Sequence, residues 1–278
     1  MDILRNLAEL RTWRAAAGSV GLVPTMGALH RGHVSLIEAA VAANDRVIAS
    51  IFVNPTQFND PADLAKYPRD LDRDADIAAE AGAVAIYAPD VPSIYPDGFA
   101  TKVTVAGITE DFEGESRPGH FDGVATVVTI LLNQVQPDAS YFGEKDFQQL
   151  AMIRRMHRDL ALPGAIIACP TVRDNDGLAL SSRNVRLSPE ARQASLVLHR
   201  ALMAMRDQAE HSCDNMFRLV TMGAVLVKTE PAVTLDYLQV VDPDTLLPVD
   251  TLVPGARALI AATVGGVRLI DNLELAPR

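Results

Sequence analysis

An open parallel α/β sheet followed by a smaller α+β domain is the architecture this sequence predicts. Three observations carry it. Short apolar runs alternate with helical patterns through roughly the first 170 residues, which implies parallel strands joined by right-handed crossovers. The run Arg46–Val53 is nearly all apolar, as a strand covered on both faces should be. After Val172 the rhythm changes to a polar loop, two helical stretches and three strand-like runs. At 278 residues the chain lies at the upper edge of what one core organises. A domain over 1–174 and a smaller one over 175–278 are therefore expected.

The elements follow in order. Met1–Gly18 reads as one amphipathic helix. Val20–Val23 reads as a strand, and Arg31–Ala43 as a helix with Val34, Ile37 and Val41 at helical spacing. Arg46–Val53 is a nearly all-apolar strand. Asp70–Ala81 is helical, Val84–Tyr87 a strand, and Asp122–Gln134 a helix rich in β-branched residues. Ser140–Phe142 is a short strand, Glu144–Arg158 a helix and Ala165–Ala168 a strand. In the second domain Ser188-Pro189-Glu190 opens a long helix, with Ser188 as cap and Pro189 in the first turn. A second helix covers Asp214–Lys228. Strands follow at Thr234–Val241, Ala256–Val264 and Val267–Ile270.

Composition excludes several classes of function. The net charge of −10 argues against nucleic-acid binding, which wants a basic surface. A small anionic substrate stays possible where cations are concentrated locally. No apolar run approaches the roughly 20 residues of a membrane span. The two cysteines, Cys169 and Cys213, form no CxxC pair and read as free thiols of a reducing compartment. With no signal-peptide core at the N-terminus, a cytoplasmic protein is expected.

The stretch VPTMGALHRGHVSL raises the chemical question. It begins where the strand Val20–Val23 ends, and ligands of open parallel sheets bind at carboxyl ends of strands. Gly27 and Gly32 let the backbone turn tightly or approach a ligand. The N–H groups and positive dipole end of the following helix favour phosphate. His30 and His33 fall on one side of its first turn and can donate to phosphate oxygens. One such histidine would read as an ordinary cap or core residue; the pair at this junction points to a phosphate site. A zinc site lacks a third Cys or His nearby. Neither G-x-x-x-x-G-K-[ST] nor G-x-G-x-x-G is present.

Four further loops belong to the argument. Gly143, Glu144, Lys145 and Asp146 follow a strand end, where a lysine beside a glycine turn can hold phosphate as a point charge. Lys145 and Gln149 share a helix face at a spacing of four. Leu180-Ser181-Ser182-Arg183 supplies two hydroxyls and a guanidinium in a loop between domains that could close over a substrate. Asn54 and Gln57 end a buried strand with amides that can donate to a carboxylate or accept from a hydroxyl. Arg117-Pro118-Gly119-His120 is a basic loop at a helix start.

The segments PTMGALHRGH, SIFVNPTQF, YPRDLD, RPGHFDGV, FGEKDFQQL, PTVRDNDGLALSSRN and LIDN run from residue 24 to 272. Together they closely resemble the pantoate–β-alanine ligase family; HxGH alone would indicate only the wider nucleotidyltransferase superfamily with its Rossmann-like sheet. The resemblance implies ATP-dependent adenylation of pantoate with Mg²⁺, then attack by β-alanine to give pantothenate, AMP and pyrophosphate, in a homodimer. It implies ATP contacts at Met26, Gly27, Ala28, Leu29, His30, Arg31, Gly32 and His33, at Gly143–Asp146, at Val172 and at Leu180–Arg183. His33, His30, Lys145 and Arg183 would serve the phosphates, with His33 at the position usually assigned as proton donor. Gln57 and Gln149 would hold pantoate beside Asn54, and Asp74 would meet Mg²⁺ through water. Two positions depart from the pattern: Thr56 stands where methionine is more usual, and Arg73 interrupts a pair of acids. A nucleotidyltransferase with a phosphorylated acceptor would call for more Lys or Arg than the paired glutamines provide. A non-catalytic nucleotide sensor would not need the full set His30, His33, Lys145 and Arg183.

Overall fold

The computed structural model describes residues 1–211 and 215–276. In chain order the first part runs β1 (Asp2–Leu4), α1 (Leu7–Ala15), β2 (Val20–Thr25), α2 (Arg31–Val41), β3 (Arg46–Ile51), α3 (Pro61–Lys66), α4 (Leu71–Glu80) and β4 (Ala85–Tyr87). It continues through the short helices α5 (Val91–Ile94) and α6 (Glu113–Ser116) to α7 (His120–Val135), β5 (Ala139–Gly143), α8 (Phe147–Asp159) and β6 (Ala165–Cys169). The second part contains α9 (Pro189–His211), α10 (Met216–Val227), β7 (Val233–Val241), β8 (Arg257–Val264) and β9 (Val267–Glu274).

Six strands form a parallel sheet in the order β1-β4-β3-β2-β5-β6. The winding reverses between β2 and β5, which makes that gap the topological switch point. The loops leaving Thr25 and Gly143 open there. α2 and α4 cover one face, with Ile37, Ala40, Ala75 and Ala78 packed against Val23, Val47, Ala49 and Ile86. β3 is buried along most of its length, as its apolar run demands.

The chain forms two compact units. One is Met1–Glu144 with Gln148–Pro170; the other is Lys145–Phe147 with the chain from Thr171 onward. In the second, α9 and α10 pack on the antiparallel sheet β7-β8-β9 around Leu198, Leu202, Met205, Leu219, Val240 and Ile260.

Two sequence expectations need correcting. The N-terminal stretch is not one helix: Asp2–Leu4 pairs in parallel with β4. Asn6 then starts α1, its side chain accepting the Glu9 N–H at 3.0 Å while Glu9 Oε2 accepts the Arg5 N–H at 2.7 Å. The Asn6 cap fixes the helix start and leaves the preceding residues to the sheet. The helix expected from Glu144 is also different. Glu144–Asp146 form a 3₁₀ turn and α8 begins at Phe147, so Lys145 and Gln149 do not share an α-helical register. Asn215 caps α10 through the Arg218 N–H; Cys213 and Asp214 lie outside the described residues.

Candidate active site

The turn between β2 and α2 is built by side chains from three elements. Thr25 Oγ1 donates to the Ser50 carbonyl at 2.8 Å and accepts the Gly27 N–H at 3.1 Å. Gly27 and Ala28 both adopt left-handed backbone, with φ of 84° and 51°. For Ala28 that geometry is strained and must be held. Asp74, in the first turn of α4 and 1% exposed, holds it. Its Oδ2 accepts the Ala28 N–H at 2.7 Å and its Oδ1 the Leu29 N–H at 2.8 Å. A Cβ on Gly27 would meet Asp74 Oδ2 at 2.8 Å, so the glycine is needed for space as well as for φ. Arg73 reaches back to the Leu29 carbonyl at 3.4 Å. The task visible for Asp74 is therefore to clamp this loop.

His30 and His33 make a reciprocal cap at the start of α2. His30 Nδ1 accepts the Gly32 N–H at 3.1 Å, and His33 Nδ1 accepts the His30 N–H at 3.3 Å. Their rings lie 4.1 Å apart at 35°. A nitrogen that accepts a backbone N–H carries no proton, so these bonds select the Nε2–H tautomer in both rings. The capping role and the phosphate role use different nitrogens. Nδ1 fixes each ring; Nε2–H is the donor the ring can offer to an oxyanion beside the helix N-terminus.

After β3 the chain turns through a 3₁₀ helix, Pro55–Gln57, capped by Asn54. Asn54 is 1% exposed and Gln57 8%. Asn54 Nδ2 donates to Gln57 Oε1 at 3.0 Å and to the Gly123 carbonyl at 3.1 Å. Gln57 Nε2 points at Met26 Sδ, 3.1 Å away. The basic loop at Arg117–His120 supports this turn from behind. His120 Nδ1 lies 2.9 Å from the Gln57 carbonyl, Arg117 donates to the same oxygen at 3.4 Å, and Arg117 Nη1 meets His120 Nε2 at 3.1 Å. Gly123 lets α7 approach: a Cβ there would sit 2.6 Å from the Thr56 carbonyl. Sequence reasoning marks this loop as basic but not as the brace of Gln57.

At the end of β5, Gly143 pairs with Cys169 of β6. Burial is the main cause that pushes the Cys169 thiol up, with Glu144 adding to it, so Cys169 is an inert core thiol. Gln148, buried beside Gln149, donates to the Ile108 and Asp111 carbonyls and accepts the Glu113 N–H. It braces the 108–113 loop and leaves the half-buried Gln149 as the amide of this pair suited to a ligand.

Lys145 and Asp146, 3.2 Å apart, are joined by an ion pair, and Lys145 belongs to the second unit. The LIDN segment explains why. Asn272 Nδ2 donates to the Lys145 carbonyl at 2.9 Å, Arg257 donates to Asn272 Oδ1 at 2.7 Å, and the Arg257 guanidinium stacks 4.1 Å from the Phe147 ring. Neighbouring Asp271 holds Arg173 in a two-pronged pair at 2.6 and 2.8 Å, while Arg173 also donates to the Gly177 carbonyl. That pair anchors the hairpin in which Arg173 bridges Ala179 and Leu180 N–H donates to the Val172 carbonyl. The turn Ser181–Arg183 follows directly, with Ser181 Oγ accepting the Arg183 N–H at 3.3 Å. Lys145, Val172, Leu180, Ser181, Ser182 and Arg183 are thus carried by one unit, and Met26–His33, Asn54, Gln57, Asp74, Gly143, Glu144 and Gln149 by the other.

Because Asp271 is buried and its partner Arg173 is partly buried, removing the carboxylate should be costly. Asp271→Ala is expected to destabilise by about 3 kcal/mol, seen as a fall in Tm of roughly 6–12 °C. Asp271→Asn, which keeps one acceptor, should fall less. Equal melting of Asp271→Ala and the parent chain would show that the pair contributes nothing.

Among the described residues no group of three or more His, Cys, Asp or Glu is gathered to hold a metal ion. Nor, among them, is any helix long and apolar enough to cross a membrane.

The switch-point turn with its paired imidazoles defines the class: an open parallel α/β protein whose His-x-Gly-His helix start opens at the carboxyl end of the sheet. The narrower assignment comes from comparison. The family model for Pantoate-beta-alanine ligase matches residues 2–274, and the chain belongs to that family. The pantothenate synthetase of Thermus thermophilus is 50% identical over the whole of both chains. Its crystal structure superposes with a TM-score of 0.95. The pantothenate synthetase of Koribacter versatilis is 47% identical over 99% of this chain and 96% of its own. A pantoate–β-alanine ligase from Francisella tularensis, crystallised with β-γ ATP and β-alanine, is 36% identical. It covers 99% of this chain and 98% of its own, at a TM-score of 0.80. The six-stranded parallel sheet followed by a three-stranded antiparallel one is the architecture of these enzymes.

Proposed function

We propose that the chain condenses pantoate with β-alanine at the expense of ATP, through a pantoyl adenylate. In the first step a carboxylate oxygen of pantoate attacks the α-phosphorus. The acyl O–P bond forms, the Pα–O bond to the β-phosphate breaks, and pyrophosphate leaves. In the second step the neutral amine of β-alanine attacks the acyl carbonyl. A C–N bond forms, AMP departs with the electron pair of the broken C–O bond, and the amine sheds a proton. Pantoate is already ionised at neutral pH, so the first step needs no general base. The protein has to position the reactants and stabilise charge on the α-phosphate and the leaving pyrophosphate.

The observation that carries this reading is the reciprocal His30–His33 cap at the switch point. It fixes two Nε2–H donors at a helix N-terminus. On this reading His30 and His33 donate to phosphate oxygens as neutral rings, because a doubly protonated ring would lose its Nδ1 bond. Lys145 and Arg183 add positive charge, with the hydroxyls of Ser181 and Ser182 beside Arg183. Gln57 and Gln149 orient pantoate, and Asn54 holds Gln57. Mg²⁺ enters with the triphosphate as part of the substrate, as it commonly does where no all-protein cage exists. We extend the reading to a homodimer, on the family resemblance, and to the cytoplasm, because its two cysteines form no CxxC pair in the sequence. A phosphorylated acceptor fits less well, since the amides at Gln57 and Gln149 carry no charge.

The test is pantoate-dependent exchange of labelled pyrophosphate into ATP, with Mg²⁺ and without β-alanine. Exchange that requires pantoate is expected. Its absence, in protein that is folded and binds ATP, would overturn the adenylate mechanism.

A further inference from the structure

We propose that Tyr95 and Thr56 are positioning residues for pantoate: acting through Asn54, they fix the Gln57 amide so that its NH₂, not its oxygen, faces the ligand. This rests on the reading that Gln57 binds pantoate, and it adds a direction and two residues to that reading. The two ends of an amide are nearly the same size, so only a hydrogen-bond network decides which end faces a ligand. Here the network starts from main-chain groups that have no choice. The Thr56 N–H can only donate, and it points at Asn54 Oδ1 from 3.4 Å. The Gly123 carbonyl can only accept, and it lies 3.1 Å from Asn54 Nδ2. Both identify the oxygen and nitrogen ends of Asn54 independently.

Two hydroxyls reinforce the choice. Tyr95 donates to Asn54 Oδ1 at 2.8 Å, and Thr56 Oγ1 donates to the same oxygen at 2.9 Å. The two hydroxyl oxygens lie 3.2 Å apart. Burial is the largest influence on Tyr95 and pushes its phenol up, which keeps it a donor through the neutral range. A methionine at position 56 would supply no hydroxyl, so this network uses the polarity that sets the position apart.

The orientation then passes to Gln57. Asn54 Nδ2 donates to Gln57 Oε1 at 3.0 Å. Flipping the Gln57 amide would set NH₂ against NH₂ at a site 8% exposed. With Oε1 engaged, Gln57 Nε2 is left with Met26 Sδ, a weak acceptor. A ligand oxygen can take its place. The site therefore selects an oxygen acceptor, such as a carboxylate, at this point over a group that can only donate.

The experiment uses the full chain and four variants: Tyr95→Phe, Thr56→Val, the double variant, and Tyr95→Phe with Thr56→Ser. Steady-state KM is measured for pantoate and for ATP. Competitive inhibition is measured with the alcohol in which a CH₂OH group replaces the carboxylate of pantoate. Because the hydroxyls share one acceptor, each single variant should raise the pantoate KM only about twofold and the double variant about tenfold, with the ATP KM unchanged. The double variant should bind the alcohol about as well as the parent does, because a freed Gln57 can turn its oxygen to a hydroxyl donor. Serine at position 56 should bring the pantoate KM back to the level of the Tyr95→Phe single variant. A merely structural role would weaken pantoate, alcohol and ATP together, and that result would overturn the proposal. An unchanged pantoate KM in the double variant would also overturn it. Gln57→Ala separates the two levels. If it raises the pantoate KM while the double variant does not, the orienting network fails and the Gln57 assignment stands. If Gln57→Ala leaves pantoate untouched, both fall.

Discussion

Replacing His33 with alanine is expected to lower pantoate-dependent pyrophosphate exchange about a hundredfold or more, the usual effect of losing one preorganised donor to a developing oxyanion. The change removes two bonds with different consequences. Loss of Nδ1 frees the His30 N–H at the start of α2, which should cost about 1 kcal/mol, as losses of helix caps do. Loss of Nε2–H removes the group assigned to the phosphates. His33→Asn separates these effects. Its side-chain oxygen can reach back to the His30 N–H, but it has no donor where the imidazole Nε2 stood. Stability should recover in His33→Asn while exchange stays low. Near-normal exchange in either variant would take His33 out of the chemistry. The His30 ring, 4.1 Å away, relies on the same turn, so a mild loss of ATP affinity should accompany the larger loss of rate.

Local signals in the chain are readable and distant ones are not. The His-x-Gly-His turn can be placed because a strand end, a glycine and a helix start all lie within a dozen or so residues. The strand β3 and the long helix α9 declare themselves by apolar runs and by Ser188-Pro189-Glu190. Three features depend on contacts far apart in the chain. Asp74 reaches Ala28 and Leu29 across 46 and 45 positions. His120 meets the Gln57 carbonyl across 63. Asn272 holds the Lys145 carbonyl across 127, which places Lys145 in the second unit. No periodicity reports such contacts, because each depends on which loops the sheet order brings together. β1 escapes a sequence reading for another reason. Three residues are too few to show alternation, and the helical pattern that follows masks them. The N-cap Asn6, followed three residues later by Glu9, is the signal that separates the two. Thr56 stands out as smaller and more polar than a methionine; what it bonds to requires the fold, because its partner Tyr95 is 39 positions away.

Asp74→Ala is expected to be the most damaging single change in the first unit. Each carboxylate oxygen takes one backbone N–H of the left-handed turn, at 2.7 and 2.8 Å, and the side chain is almost fully buried. Alanine would leave both donors without that acceptor, at about 1–3 kcal/mol each for a buried group. Ala28, held at a φ of 51°, would lose what keeps it there. The turn should relax, Tm should fall, and the KM for ATP should rise by about tenfold or more as the His30 and His33 rings lose their register. Asp74→Asn should recover little, because its NH₂ must face one of the two N–H groups. Asp72→Ala, on the exposed face of the same helix turn, should change stability by no more than about 0.5 kcal/mol and serves as the control. Raising Mg²⁺ distinguishes the loop clamp from a metal role. A missing water-mediated metal contact would be offset by excess Mg²⁺, because mass action refills a weakened site. A broken loop clamp would not respond. Persistence of the ATP defect at saturating Mg²⁺ would assign Asp74 to the architecture of the phosphate turn; rescue by Mg²⁺ would assign it to the metal that travels with ATP.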